Sequence, residues 1–155
     1  MGRERLLVLV VALTAACERE PTPAGITAPP IPSAPRATVR TVASTKLYRI
    51  ELTAPPCTAT ARCEARVAIH AIGGYKVNAE YPTKFVVDPK ATVTIEGTGT
   101  FAADPTDKTL GSLTVPFRAK AAGSANLVGQ LKLSVCTDEV CEIEAVPIDV
   151  AIPAT

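Results

Sequence analysis

Short stretches in which apolar and polar residues alternate constrain the fold of this chain more than any other feature. In KLYRIELT, residues 46–53, the apolar side chains Tyr48, Ile50 and Leu52 alternate with charged ones. Comparable stretches are ARVAIHAI (65–72), ATVTIEG (91–97), LTVPFRA (113–119) and LKLSV (131–135). A period of two is typical of strands with one buried and one solvated face, and no segment has a convincing helical period. Without helices to cover parallel crossovers, these strands predict an antiparallel β-sandwich.

The N-terminal sequence MGRERLLVLVVALTAAC has the composition of a secretory signal. Two arginines precede an apolar run from Leu6 to Ala16, which is too short to span a bilayer. We therefore expect residues 1–16 to be removed on export. LTAAC resembles the lipobox of bacterial lipoproteins, whose cysteine is lipidated and becomes the N-terminus. This resemblance predicts lipidation of Cys17, and the alternative is an ordinary signal that leaves Cys17 as an unpaired thiol.

A lipidated Cys17 would place the protein in the cell envelope, on the periplasmic side, with the membrane as a partner. Glu18 follows it in place of the aspartate that favours inner-membrane retention in some bacteria, so the expected location is the outer membrane. Residues 17–36 contain six prolines and predict a semi-rigid tether. Residues 37–155 are enough for one domain with a single core.

The charge and histidine content exclude several classes of function. Removing residues 1–16 leaves 14 basic and 14 acidic residues with no basic block, so nucleic acid is not an expected partner. His70 is the only histidine, and a histidine-based metal site or a Ser-His-Asp triad therefore lacks its residues. We predict no metal and no cofactor.

Four cysteines remain if Cys17 is lipidated: Cys57, Cys63, Cys136 and Cys141. They allow three connectivities, of which pairing within each sequence-local pair is the simplest. Export makes disulfides chemically plausible. The loop between Cys57 and Cys63 is short, and it follows two prolines and contains no base. This pair is predicted to be a structural disulfide.

Cys136 and Cys141 flank the four residues TDEV. Cys136 has the phase of the polar residues of LKLSV, so its side chain should point away from the core. A four-residue hairpin loop, Thr137 to Val140, would place Cys136 directly opposite Cys141, at a Cα separation within the disulfide range. The pair is therefore predicted to lie on an outer face near a loop tip.

The apolar phase changes after this hairpin. Cys141, Ile143 and Ala145 share one face, whereas beyond Pro147 the apolar residues have the phase of Val146. A one-residue slip of this kind is what a β-bulge produces, and we predict a bulge here.

Spacing alone does not separate a hairpin staple from a redox-active pair. Asp138, Glu139 and Glu142 are close in sequence and would oppose formation of a thiolate. That effect matters less for a carrier whose disulfide is attacked by a partner's thiolate, because exposure and the leaving thiol then govern the rate. Both interpretations stay open at this point.

Two segments suggest a family. LKLSVCTDEVCEIEAVPIDVAI, residues 131–152, has a strand, a cysteine, a short acidic loop, a second cysteine and a strand ending in alternating aliphatics. GGYKVNAEYP, residues 73–82, has a Gly, an aromatic, a basic residue, an aliphatic and Asn, followed by Pro. Both resemble the N-terminal periplasmic domain of the transmembrane thiol:disulfide interchange reductase DsbD. The resemblance implies an immunoglobulin-like β-sandwich that takes electrons from a membrane-embedded partner and reduces exported oxidised proteins.

Carried over by position, Cys136 and Cys141 would be the catalytic redox pair. Tyr75 and Asn78 belong to the Gly-aromatic segment, and Phe101 in GTFAADPTD is the candidate for the aromatic cap that shields the cysteines in the family. The chain departs from the family pattern in having Glu142-Ile143-Glu144 after the second cysteine. The resemblance further implies that electrons come from a separate protein, a thioredoxin-like or other dithiol partner.

The leading functional prediction is a cell-envelope lipoprotein with a thiol–disulfide exchange module. The alternative is a non-enzymatic binding or structural lipoprotein with the same fold, in which both disulfides are structural.

Overall fold

The computed structural model of the protein describes residues 37–155. The predicted signal peptide 1–16, the lipidation site Cys17 and the tether 17–36 lie outside the described residues. Residues 37–155 form ten β-strands and no helix, and consequently no helical segment of this range could cross a bilayer.

The strands follow the alternating stretches of the sequence. Their bounds are β1 Thr38–Ser44, β2 Tyr48–Ala54, β3 Cys63–Ala71, β4 Lys76–Val77, β5 Lys84–Val87, β6 Val93–Ile95, β7 Thr100–Ala103, β8 Leu110–Ala119, β9 Gly123–Cys136 and β10 Cys141–Ala154.

Two sheets form an antiparallel β-sandwich, as the sequence predicts. One sheet has the order β1-β2-β3-β8-β6, and β7 pairs with β8 beyond the end of β6. The other has the order β10-β9-β4, and β5 pairs with β9 beyond the end of β4. All strand pairs are antiparallel, and a single isolated bridge between Cys57 and Ala154 is parallel.

The core lies between the two sheets. The residues predicted to face inward are buried, among them Ile50 and Leu52 of β2, Val67 and Ile69 of β3, and Leu113, Val115 and Phe117 of β8. The other sheet contributes Phe85, Leu127, Leu131, Leu133 and Ile148. Burial of these aliphatic side chains supplies most of the stabilisation, at roughly 1.5–3 kcal/mol each.

The prediction of a bulge after the second cysteine is wrong. β9 and β10 pair without a break from Cys136 opposite Cys141 to Gly123 opposite Ala154. The apolar phase of the sequence changes because the inward-facing positions of β10 are buried only along part of the strand. Val146 is buried, whereas Glu142 is exposed although its side chain has the same phase, because the start of β10 extends beyond the covered core. Ile143 has the outward phase of Ala145 and Pro147 and is exposed on the outer face.

Glu144 is the charged residue of β10 that lies closest to the core. It is half-buried and accepts a 3.4 Å hydrogen bond from the hydroxyl of Tyr48 on the opposite sheet. Burial, followed by the negative charge of Glu144 and this hydrogen bond, raises the pKa of Tyr48 above its ordinary value. This contact links the two sheets at the end of the sandwich where β10 begins.

Candidate functional site

The β9–β10 hairpin holds the Cys136–Cys141 disulfide, as its spacing predicts. The two Cα atoms are 4.0 Å apart, and the residues are directly opposite each other. The loop between them is ordered by its own hydrogen bonds. The Thr137 amide donates to the Val140 carbonyl at 2.8 Å, and the Thr137 hydroxyl accepts from the Val140 amide at 3.1 Å.

The two cysteines differ in exposure. Cys141 is exposed, whereas Cys136 is half-buried on the outer face that it shares with Lys132. Two large apolar side chains next to Cys141 are also exposed, Val140 to 48% and Ile143 to 68%. The disulfide is thus open to another molecule mainly from the Cys141 side.

A lysine lies on the other side of Cys136. In the β4–β9 pairing Lys76 is directly opposite Cys136, so Lys76, Cys136 and Cys141 form one row across three neighbouring strands. The Lys76 ammonium donates to the Asp138 carboxylate at 2.7 Å. This hydrogen bond, with the charges of Lys76 and Lys108, lowers the pKa of Asp138 below its ordinary value. One of the three predicted acidic neighbours is therefore neutralised by a cation beside the disulfide.

A double-glycine turn positions β4. Gly73 and Gly74 have φ angles of +64° and +87°, and a side chain on Gly73 would meet the Lys46 carbonyl oxygen at 2.7 Å. Glycine is the residue that adopts this conformation without steric cost. The turn leads into Tyr75, which packs against the core, and then into Lys76.

The loop between β7 and β8 supports β4 from the opposite edge. The Val77 amide donates to the Lys108 carbonyl at 2.8 Å. Asp104 accepts hydrogen bonds from the Thr106 hydroxyl, the Thr106 amide and the Asp107 amide, all of which lower its pKa. The chain bends at Pro105 and Thr106, and these contacts of Asp104 hold the bend in place.

An open cleft of about 390 Å³ separates this loop from the hairpin. Its lining includes Lys76, Asn78, Pro105, Lys108 and Cys136. One side of the half-buried cysteine therefore faces a cavity with two lysines at its margin.

The structure places one of the three predicted neighbours of the cysteines, Asn78, in the cleft beside Cys136. Asn78 lines the cleft, and its amide donates to the Ser134 carbonyl at 3.0 Å. Tyr75 immediately precedes Lys76. Phe101 lies on β7 with its ring against Gly111, and it does not line the cleft. The role of Phe101 as a cap stays a prediction.

The second predicted disulfide, Cys57–Cys63, is also formed and lies in a different environment. Cys57 is only 1% exposed. Its amide donates to the Pro153 carbonyl at 2.9 Å, and its carbonyl accepts from the Thr155 amide at 2.8 Å. The loop that this disulfide closes therefore holds the end of β10.

Sequence reasoning missed Lys76 as a neighbour of Cys136, because the pairing of β4 with β9 joins distant parts of the chain and gives no local signal. It also missed Lys108, which lines the same cleft from the loop between β7 and β8. In residues 37–155 no cluster of three His, Cys, Asp or Glu side chains could hold a metal ion. Comparison with protein-family models, with curated proteins and with solved structures finds no match to this chain.

Proposed function

We propose that this chain is a lipid-anchored protein of the bacterial cell envelope that carries electrons by thiol–disulfide exchange at Cys136 and Cys141. The observation that supports the proposal is the row Lys76, Cys136, Cys141, in which an exposed cysteine is bonded to a half-buried one beside an ammonium group. This row offers one accessible sulfur and one stabilised leaving group.

The exchange starts at Cys141. A thiolate of a partner dithiol protein attacks the Cys141 Sγ and forms a mixed disulfide, while the bond to Cys136 breaks. The bonding electron pair goes to the Cys136 Sγ, which leaves as a thiolate. The partner's second thiol then releases a proton and attacks the partner's first sulfur, which is bonded to Cys141 in the mixed disulfide. The partner becomes oxidised, and Cys141 leaves as a thiolate and takes up a proton.

Lys76 stabilises the leaving group in this scheme. The rate of exchange rises with the stability of the leaving thiolate, and a nearby cation favours that charged form. The negative charges of Glu139 and Glu142 act in the opposite direction. Lys76 lies directly opposite Cys136, whereas Glu142 lies opposite Val135. The Lys76 ammonium also pairs with Asp138 and so offsets the negative charge nearest to it in the hairpin loop.

The reduced pair returns its two electrons by the reverse steps. The Cys141 thiolate attacks a disulfide of an exported oxidised protein, and one sulfur of that disulfide leaves as a thiolate. The Cys136 thiolate then attacks the Cys141 Sγ, the mixed disulfide breaks, and the second sulfur of the exported protein leaves as a thiolate; both thiolates take up protons. The resemblance to the DsbD N-terminal domain supports the same direction of electron flow, with a thioredoxin-like or other dithiol protein as donor. Lipidation of Cys17 would hold the module at the outer membrane, on the periplasmic side.

A redox titration of the detergent-solubilised full chain tests the proposal. Glutathione buffers set the potential, alkylation traps free thiols, and mass spectrometry of tryptic peptides follows each pair. Lys132 is the last basic residue, so Cys136 and Cys141 stay in one peptide, and Arg62 separates Cys57 from Cys63. We expect Cys136–Cys141 to open above about −300 mV, the limit typical of structural disulfides, while Cys57–Cys63 stays closed.

The second candidate is a binding lipoprotein in which both disulfides are structural. The cleft of about 390 Å³ beside Cys136 favours it, because a cavity of this size accommodates a small ligand. Resistance of both pairs to reduction until the domain unfolds would reject the exchange function and leave this candidate.

A further inference from the structure

We propose that the free edge of β10 from Cys141 to Ala145 binds an extended segment of the redox partner as an added antiparallel or parallel strand. The inference rests on the proposed exchange function and names how its partner is recognised. Addition of a strand supplies main-chain hydrogen bonds next to the sulfur that the partner attacks.

The backbone of β10 shows which residues face that edge. Pro147 and Pro153 lie within unbroken pairing to β9, and proline has no amide hydrogen to donate. The backbone nitrogen and carbonyl of these two residues therefore face away from β9, toward the free edge. In a strand, alternate residues have the same direction, so Cys141, Ile143 and Ala145 also direct their amides and carbonyls to the free edge.

The two halves of the edge differ. At the C-terminal half the prolines remove donors, and the loop at Cys57 pairs with Pro153 and Thr155. At the start of β10 no strand of residues 37–155 pairs with the edge, since β10 is the outermost strand of its sheet. Unpaired edges are templates for another chain, and the positions Cys141, Ile143 and Ala145 form a stretch of this edge without a proline, directly beside the disulfide.

Side chains indicate the chemistry of the partner. Ile143 is 68% exposed on the same outer face as Cys141, two residues along the strand. Glu139 and Glu142 are exposed on either side of Cys141, and no described cation pairs with them. The edge therefore fits a segment with an accessible cysteine, a neighbouring apolar residue and flanking basic residues.

In the bound arrangement the partner's thiolate attacks the Cys141 Sγ, the disulfide to Cys136 breaks, and Cys136 leaves as a thiolate. Pairing of the segment with Ile143 and Ala145 orients the attacking sulfur without taking part in the bond exchange.

The first test compares Ala145→Pro with Ala145→Thr in the full chain. Proline removes one edge amide, and Pro147 demonstrates that the ladder accepts proline at this phase; threonine keeps the amide. The probe is the reduced peptide acetyl-Lys-Val-Cys-Val-Lys-amide, and the rate of mixed-disulfide formation is measured. We expect Ala145→Pro to react about fivefold more slowly than Ala145→Thr, the effect of one hydrogen bond, and both to react equally with glutathione.

A second measurement uses the wild-type chain and does not depend on the folding of a variant. In the peptide acetyl-Lys-Pro-Cys-Pro-Lys-amide the two residues that flank the cysteine have no amide hydrogen to donate. To correct for the reactivity of each thiol, the rate of each peptide is divided by its rate with hydroxyethyl disulfide. We expect the valine peptide to react at least fivefold faster after this correction. Equal corrected rates, or equal rates of the two Ala145 variants, would overturn strand addition while leaving the exchange function intact.

Failure of the exchange function gives a different result, because neither glutathione nor either peptide would then open Cys136–Cys141 in the folded chain. A third outcome assigns the edge to a second copy of this chain. In that case size-exclusion chromatography would show a dimer that Ala145→Pro dissociates and Ala145→Thr does not, which would also overturn the proposal.

Discussion

The two disulfides of this protein close rings of nearly equal size, with sequence separations of 6 and 5, but they lie in different environments. Cys57 is buried and its loop holds the end of β10, whereas Cys141 is exposed at the start of the same strand. The loss of loop entropy in the unfolded chain is about the same for both rings, because it depends on ring size alone. What each bond contributes to the native state must therefore differ through its surroundings.

The difference predicts a division of roles along one strand. In Cys57–Cys63 one cysteine is fully buried and the other half-buried, so a thiolate reaches this disulfide less easily, and breaking it disturbs the backbone contact that Cys57 makes. An exposed disulfide at the tip of a hairpin is accessible, and the hydrogen bonds of Thr137 keep the loop in place when it opens.

The largest expected effect is on stability when the buried pair is removed. The double variant Cys57→Ala, Cys63→Ala should lose about 3 kcal/mol of unfolding free energy, from loop entropy and the weakened hold on Pro153 and Thr155. Urea denaturation of the full chain measures it. A loss below that of the hairpin double variant would contradict the division of roles.

Removal of the exposed pair should cost less. Cys136→Ala with Cys141→Ala should lose about 1–2 kcal/mol in the same urea experiment, because fourteen strand pairs and the Thr137 turn still define the hairpin. The same variant should lose all thiol–disulfide exchange with glutathione. Exchange that persists in it would mean that Cys57–Cys63 is the active pair.

Substitution of Lys76 tests whether a neighbouring positive charge makes the Cys136–Cys141 disulfide easier to open. Lys76→Gln should slow the opening of Cys136–Cys141 by glutathione roughly fivefold, since it removes a partly exposed cation beside the leaving sulfur. Lys132→Gln is the matched control, because Lys132 lies on the same face of β9 four residues from Cys136. Equal rates for the two variants would show that Lys76 has no electrostatic role.

The smallest expected effect concerns pH. The hydrogen bond from Lys76 lowers the pKa of Asp138, so the ion pair is fully present above the ordinary aspartate pKa of about 3.9 and is lost as the pH falls through the lower folded-state value. NMR titration of the carboxyl carbons should place Asp138 below that value in the wild type. Lys76→Gln should raise the pKa of Asp138 and leave the lowered pKa of Asp104 unchanged, because Thr106 and Asp107 account for the latter.

Local periodicity predicted much of the fold. The phase of Ile50 and Leu52 identified a half-buried strand, and the phase of Cys136 together with a four-residue loop predicted the hairpin disulfide. Ile143 misled the bulge prediction, because sequence alone does not reveal where the opposite sheet stops covering a strand. Beyond that limit an inward-facing position can hold an exposed charged residue such as Glu142, and the exposed apolar Ile143 on the outer face then resembles a core residue.

The environment of the site was less predictable. Lys76 reaches Cys136 through a two-residue strand, and nothing within either segment encodes that pairing. The acidic residues of the hairpin suggested that negative charge would oppose formation of a thiolate, whereas in the structure Asp138 is paired with Lys76. Charges that come from non-local strand neighbours are set by tertiary packing and have no signal in a sequence window.

The long pairing of β9 with β10 has one more consequence. A ladder of fourteen pairs joined by a short loop could slide by two residues, and each such slip would carry Cys141 past Cys136. The contacts of Cys57 with Pro153 and Thr155 would have to break for that slip to occur. The contacts of Cys57 at the far end of β10 thus fix the register of the hairpin and keep Cys136 and Cys141 aligned, and we expect a reduced pair to form the same disulfide again.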